Sequence, residues 1–144
     1  ESRIYQNKNL SNYQKQMRGF SKKLSLHYAT KHSDKMLEII KLSGKNIYSL
    51  PQGLVKSGYS SCYSRLDYDE PSTTLTVNFV HPSSNRCIHP VQHRALTPRE
   101  GARIQSFQDD FIFYGSKSQI VKQIGNAVPP ILSEHLAEMI ANNL

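Results

Sequence analysis

The sequence contains no run approaching the roughly 18 consecutive apolar residues of a helical membrane span, so such a span is excluded. Its first residues, Glu1-Ser2-Arg3-Ile4-Tyr5, hold no apolar stretch of the kind a secretory leader needs, and no leader is expected. Two cysteines, Cys62 and Cys87, are too few for a disulfide framework; a reducing cytosol is the default, with a single disulfide left open. No Cys-x-x-Cys pair occurs, and Cys87-x-His89-x-x-x-His93, with His81 nearby, lacks zinc-finger spacing, so no metal is expected. There is no G-x-G-x-x-G and no P-loop. Neither cysteine has an obvious activating base, and Asp109 and Asp110 are adjacent and point apart, so no catalytic residue is assigned.

Acidic residues are also scarce. There are 11 Asp and Glu against 18 Lys and Arg, a net charge of +7. The imbalance is local: residues 1–66 hold 12 cations against 3 acids, and residues 67–144 hold 6 against 8. The basic stretch carries Tyr5, Tyr13, Tyr28, Tyr48, Tyr59 and Tyr63 among Ser, Asn and Gln. Cations interleaved with aromatics and small polar groups suit a phosphate-contacting surface; a solvated basic face is the alternative.

Local patterns predict an α+β chain with four or so helices and a few short strands. Tyr13 to Leu26 reads as a polar helix or basic arm, with Met17, Phe20 and Leu24 on one weak apolar face. Ser33 N-caps a helix through Asp34 to Ile40, stopped by Gly44. Strands are expected near Tyr63–Leu66, over the alternating Thr73–Val80, and over Arg86–Pro90. Thr97-Pro98-Arg99-Glu100 has the capping-box form with Pro at the first helical position, and the helix it opens should turn Ala102, Ile104 and Phe107 inward. Phe111–Gly115 reads as a short buried strand or turn, followed by a helix from Ser116 that ends at Gly125. Pro129-Pro130 opens a last helix whose Ile131, Leu132, His135, Leu136, Met139 and Ile140 form an apolar stripe too broad for a small domain to cover, which hints at a partner. Strands and helices do not alternate in a βαβ rhythm, so a complete α/β nucleotide-binding domain is not expected.

Residues 94–107, RALTPREGARIQSF, with Gln108 to Phe111, resemble the ninth motif of DNA (cytosine-5) methyltransferases, and residues 123–130, QIGNAVPP, resemble their tenth. Tyr63-Ser64-Arg65-Leu66, Glu70 to Thr76, Ile88-His89-Pro90, Tyr13-Gln14, Arg18 and His27 to Ser33 resemble, more loosely, the target recognition domain of Dcm-like bacterial members. Two positions depart from that pattern: Gln108 stands where the family usually has Pro, and Leu26 where Asn usually precedes the His. The family's Gly-rich cofactor motif, Pro-Cys-Gln nucleophile loop, Glu-Asn-Val motif and Gln-x-Arg-x-Arg motif are not found.

The resemblance implies a C-terminal part of such an enzyme: a recognition region over 1–93, and the ninth-motif helix, tenth-motif turn and closing helix over 94–144. The C-terminal helices would pack on a Rossmann-like methyltransferase domain. Family members flip a cytosine from the duplex, attack carbon 6 with a cysteine thiolate, and methylate carbon 5 from S-adenosylmethionine. Lacking that cysteine loop, this stretch is expected to be inactive alone. Its expected partners are double-stranded DNA and an N-terminal catalytic part, on the same chain or a separate subunit. The expected setting is a bacterial restriction-modification system, cytoplasmic and nucleoid-associated. Arg65 is the candidate for a fork onto guanine, against a salt bridge to Asp67 or Asp69. Thr74 and Tyr63 would lie near the DNA, and Arg18, Lys22, Lys23, Lys31 and Lys35 would grip phosphates. Gly125, Asn126, Ala127 and Val128 would line the cofactor's amino-acid end, or form a helix C-cap with Gly at C′. Arg99, Glu100 and Arg103 would bond internally. A non-enzymatic DNA-binding remnant is the alternative, and an RNA methyltransferase fragment a weaker one.

Overall fold

The computed structural model describes residues 2–6 and 9–144. Among these it contains five α-helices and two two-stranded sheets. The N-terminal stretch forms β1 (Ser2–Ile4), α1 (Asn12–Arg18) and β2 (Lys23–Ser25), with β1 and β2 antiparallel and Arg3 opposite Leu24. A capping box of Ser11 and Gln14 starts α1, and Gly19, at φ +52°, ends it. Met17 is buried as expected, but Phe20 lies beyond the helix end and is 97% exposed. The helix ends at Arg18, two residues short of Phe20, so Phe20 is not brought round to the Met17 face.

The chain continues through α2 (Asp34–Leu42), capped by the Ser33 hydroxyl on the Met36 amide, to a single 3₁₀ turn at Ile47–Ser49. Strands β3 (Ser64–Arg65) and β4 (Arg86–Ile88) pair in parallel. The strand expected over Thr73–Val80 is not formed. Residues 71–76 run without regular pairing and residues 77–80 turn, with the Phe79 amide bonded to the Thr76 carbonyl at 3.1 Å. Leu75, Phe79 and Val80 enter the core from this irregular path. Burial of three apolar side chains sets the conformation there, and among the described residues the alternation that suggested a strand has no neighbouring strand to pair with.

Helices α3 (Pro98–Ile104), α4 (Lys117–Asn126) and α5 (Pro130–Ala141) complete the fold. The main core gathers Leu75, Phe79 and Val80 with Leu96, Ala102, Phe107, Phe113, Ile120, Val121 and Ile124, so the stretches before and after residue 93 share one core. Of the expected buried segment 111–115, only Phe113 is inside; Phe111, Ile112 and Tyr114 are exposed. Helix α4 runs past its expected stop: Gly125 lies within it and Ala127 is its C-cap. No residue of α5 is buried, and Leu132, Leu136, Met139 and Ile140 face outward. Leu26 adopts φ +59°, a left-handed conformation in which Asn is easier than Leu. It is held there because its carbonyl accepts the Arg99 amide at 3.1 Å while its side chain packs on the core.

Candidate functional site

The capping box predicted at Thr97 is present in both halves. The Glu100 amide donates to Thr97 Oγ1 at 3.2 Å, and the Thr97 amide donates to Glu100 Oε2 at 2.8 Å. Arg94 closes the same carboxylate with two bonds of 2.7 Å. Burial pushes the Glu100 carboxyl up, but Arg94 and the Thr97 amide outweigh it and hold it below the usual carboxylate range. His27 Nδ1 lies 3.1 Å from Thr97 Oγ1. That oxygen also accepts the Glu100 amide, and burial lowers the His27 pKa.

Arg99, 1% exposed, donates to Ser25 O, Ser25 Oγ, Gln108 O and Phe111 O at 2.9–3.3 Å. Gln108 is bonded through its carbonyl, a group Pro also has, which explains why the departure at this position is tolerated. Asp109 accepts a bidentate pair from Arg103 at 2.9 and 2.6 Å, together with the Tyr5 hydroxyl. Its amide donates to Met17 O at 2.7 Å. Burial raises the Asp109 pKa, but Arg103 and Tyr5 bring it below the usual range. Asp109 therefore joins the α3 exit to the N-terminal arm. Arg18 stacks on the Tyr5 ring, 3.7 Å from its centroid, so one of the expected phosphate contacts helps dock that arm. Lys22, Lys23, Lys31 and Lys35 are exposed.

The end of α3 meets the tenth-motif turn. Gln105 Nε2 donates to Ile124 O at 3.1 Å and Ala127 O at 3.3 Å. The next residue, Ser106, is left-handed at φ +60°, and its hydroxyl accepts the Ile131 amide at 3.2 Å. Two consecutive residues of the ninth block thus grip both ends of the tenth. A β-carbon at Gly125 would lie 2.6 Å from the Thr76 carbonyl carbon and oxygen and 2.7 Å from Val77 Cα. This glycine is required for backbone-to-backbone approach, not for the C′ position of a helix cap. One concavity results, lined by Ser72, Thr74, Gln105, Gly125, Ala127 and Pro129 among others. Thr74 and the tenth-motif residues, 51 or more positions apart in sequence, share this wall. Asn126 and Val128 are exposed beside it.

Arg65 is placed otherwise than expected. Its Nε donates to Ser43 O at 2.9 Å. One terminal nitrogen donates to His89 O at 2.8 Å and Gln92 O at 2.9 Å. The other donates to Ile40 O at 2.6 Å and His93 Nδ1 at 2.9 Å. All five donors of the guanidinium are engaged, so an open fork for guanine is not presented. The alternative salt bridge is not made either, because Asp67 pairs with Lys45 at 3.3 Å. Arg65 instead ties the end of α2 to the loop after β4. Tyr63 is half-buried at φ +53°, with its amide on Pro82 O at 2.7 Å. His89 Nδ1 accepts the Val91 and Gln92 amides at 3.1 and 3.0 Å, which makes it a turn-capping group. Cys62 and Cys87 are free and buried, and burial, with Cys62 beside it, pushes the Cys87 thiol up to about 12. A thiol so protonated is no nucleophile at neutral pH. Among the described residues no cluster of three metal-ligating side chains occurs.

Sequence reasoning passed over Gln105 and Ser106, and took Asp109 only as one of two adjacent carboxylates that point apart. Ser106 gave no sign, since Ser is not a residue that marks a left-handed position. Gln105 bonds carbonyls 19 and 22 positions on, and Asp109, besides its near neighbour Arg103, reaches back to Tyr5 and Met17.

Comparison with known proteins agrees with this geometry. The family profile of C-5 cytosine-specific DNA methylases matches residues 2–142. The type II methyltransferase M1.HphI of Haemophilus parahaemolyticus is 39% identical over 117 residues, which cover 79% of this chain and 30% of that protein. M.PspPI of a Psychrobacter species is 43% identical over 97 residues, 67% of this chain and 23% of that protein. A solved Escherichia coli structure, encoded within a prophage and assigned as a DNA modification methyltransferase, superposes with a TM-score of 0.66 at 22% identity, covering 98% of this chain and 40% of that one. The chain thus spans less than a third of the length of these two curated relatives. With a family match along nearly its whole length and both motif blocks brought together in space, the chain belongs to the C-5 cytosine-specific DNA methylase family.

Proposed function

We propose that this chain supplies the DNA-recognition region and the cofactor-facing turn of a cytosine-5 methyltransferase of a bacterial restriction-modification system. The observation that carries the reading is the shared wall of Thr74 with Gly125 and Ala127, held by Gln105 and Ser106. Residues 1–93 act as the recognition region, and residues 94–144 close the cofactor pocket. The catalytic part, with the cysteine nucleophile and a Rossmann-like domain, comes from outside this stretch, on the same chain or a separate subunit. This stretch alone is inactive. The role places it in the bacterial cytoplasm, on the nucleoid.

The donor set around the tenth-motif turn fits S-adenosylmethionine. Gly125 and Ala127 present backbone without bulk, and the exposed Asn126 carboxamide offers both a donor and an acceptor to an amino-acid end. Bound there, that group supplies the methyl. Asn126 and Val128 would help hold it, and Thr74 would meet the backbone of the extruded nucleotide. Lys22, Lys23 and Lys31, with Lys35, contribute phosphate contacts that add affinity without sequence information. Arg65 and Tyr63 shape the recognition loop from within. The exposed apolar face of α5 is covered by the catalytic part.

A binding selection against a randomised duplex pool, run at two salt concentrations, tests the reading. An enriched short motif containing a cytosine target, with affinity falling steeply as salt rises, is expected. Failure to bind duplex DNA at low salt would refute the recognition role.

A further inference from the structure

Helix α4 ends with carbonyls that have no partner inside the helix. Two carbonyls at this end, Ala127 O and Ile124 O (which also accepts the Ala127 amide at 3.3 Å), converge on the carboxamide of Gln105, at 3.3 and 3.1 Å. The start of α5 has orphan amides, and the Ile131 amide is taken by Ser106 Oγ at 3.2 Å. The turn between the two helices is therefore anchored at both ends by one dipeptide. On its other side it has no slack, because Gly125 already touches the backbone of Thr76 and Val77. Three separate stretches, 73–77, 104–106 and 124–131, are locked together, and Gln105 supplies the bonds to the middle of that assembly.

We propose that Gln105 is a positioning residue. Its two N–H donors fix the 125–128 turn, and through Gly125 they set the distance between this turn and the Thr74 segment. The two walls of the concavity then move as one unit, so whatever the turn and the segment each contact is held in a fixed relation. The functional consequence rests on the reading of the turn as cofactor-facing; the mechanical link does not.

Nuclear magnetic resonance on the labelled 144-residue chain separates the two. Gln105→Met keeps the length and the apolar stem and removes both donors. Amide exchange at Ala127, Ile131 and Phe79 is expected to rise roughly tenfold, while Leu37 and Leu96 keep their protection and the melting temperature moves by a few degrees at most. Gln105→Glu supplies a donor only when protonated. Its Ile124 and Ala127 carbonyl resonances are expected to titrate with the introduced carboxyl and to return toward their wild-type positions at low pH. A bystander glutamine would show neither behaviour. Unchanged exchange at Ala127 in Gln105→Met, a uniform rise across all five amides, or carbonyl resonances in Gln105→Glu that ignore pH would each overturn the proposal. None of these readouts depends on cofactor or DNA binding, so their failure leaves the functional reading standing, and the reverse.

Discussion

Replacing Arg65 by Ala distinguishes a base reader from an internal tie. The substitution removes a donor from four backbone carbonyls and one imidazole nitrogen; Ile40 O and Gln92 O keep the Ser43 and Arg94 amides, while Ser43 O, His89 O and His93 Nδ1 lose the guanidinium contact. Each hydrogen bond to a charged donor contributes about 1.5–3 kcal/mol when water is excluded. Arg65 is only partly buried, so water replaces several of these bonds, and the net loss should be about 2–4 kcal/mol. Arg65→Lys restores the charge without the planar fork and should recover less than half. Urea unfolding followed by circular dichroism reads the loss as a lower midpoint at unchanged slope. Affinity should fall for all duplexes alike, because the loop as a whole loses its anchor. The reasoning is refuted by a stability change under about 0.5 kcal/mol together with a loss of about 1–3 kcal/mol confined to one G·C position, the signature of a lost bidentate base contact.

Further substitutions probe other joints of the fold. Gly125→Ala should gain about 1 kcal/mol of helix propensity yet be net destabilising by about 1–3 kcal/mol, because its β-carbon meets backbone at 2.6 Å; thermal unfolding checks the sign. Leu26→Asn should change stability by less than about 1 kcal/mol, since relief of the left-handed backbone offsets the lost core contact, and a loss above about 2 kcal/mol would show that no relief occurs. Asp109→Asn should cost about 3 kcal/mol, because it leaves the Arg103 guanidinium without its counter-charge. Asp109 and Glu100 both titrate below their usual values in the folded chain. Their stabilisation is present above about pH 4 and is lost as pH falls through their lowered folded values. Acid titration of the unfolding midpoint should show this fall, and Asp109→Asn should make it shallower.

The features legible in the sequence are those set by neighbours. The Thr97–Glu100 capping box, the Ser33 cap and the short strands at 64–65 and 86–88 depend on residues a few positions apart, and each lies where its pattern puts it. The apolar stripe of α5 was readable for the same reason, as was its excess over what this chain covers. What was misread depends on distant partners. Thr73–Val80 alternates like a strand, yet its apolar residues are claimed by the α3–α4 core before any strand pairs with them. A glycine near a helix end looks alike whether it terminates the helix or admits another backbone, and only the position of Thr76 decides for Gly125. Arg65 carries no local sign that its donors will be taken by carbonyls 22–27 residues away. At the site, the motif blocks themselves were legible, but the residues that clamp them, Gln105 and Ser106, were not, because their partners lie 19–25 positions downstream.

In the proposed role this chain recognises DNA and lines the cofactor pocket while the nucleophile comes from elsewhere. The most direct measurement is transfer of radiolabelled methyl from S-adenosylmethionine to duplex DNA, by the 144-residue chain alone and after mixing with a separately produced catalytic part that carries a Pro-Cys loop. We expect no transfer from the chain alone, and methylation at carbon 5 of cytosine once the catalytic part is added, abolished when its cysteine is replaced. Transfer by the chain alone, or none with a catalytic part that demonstrably binds it, would contradict the claim.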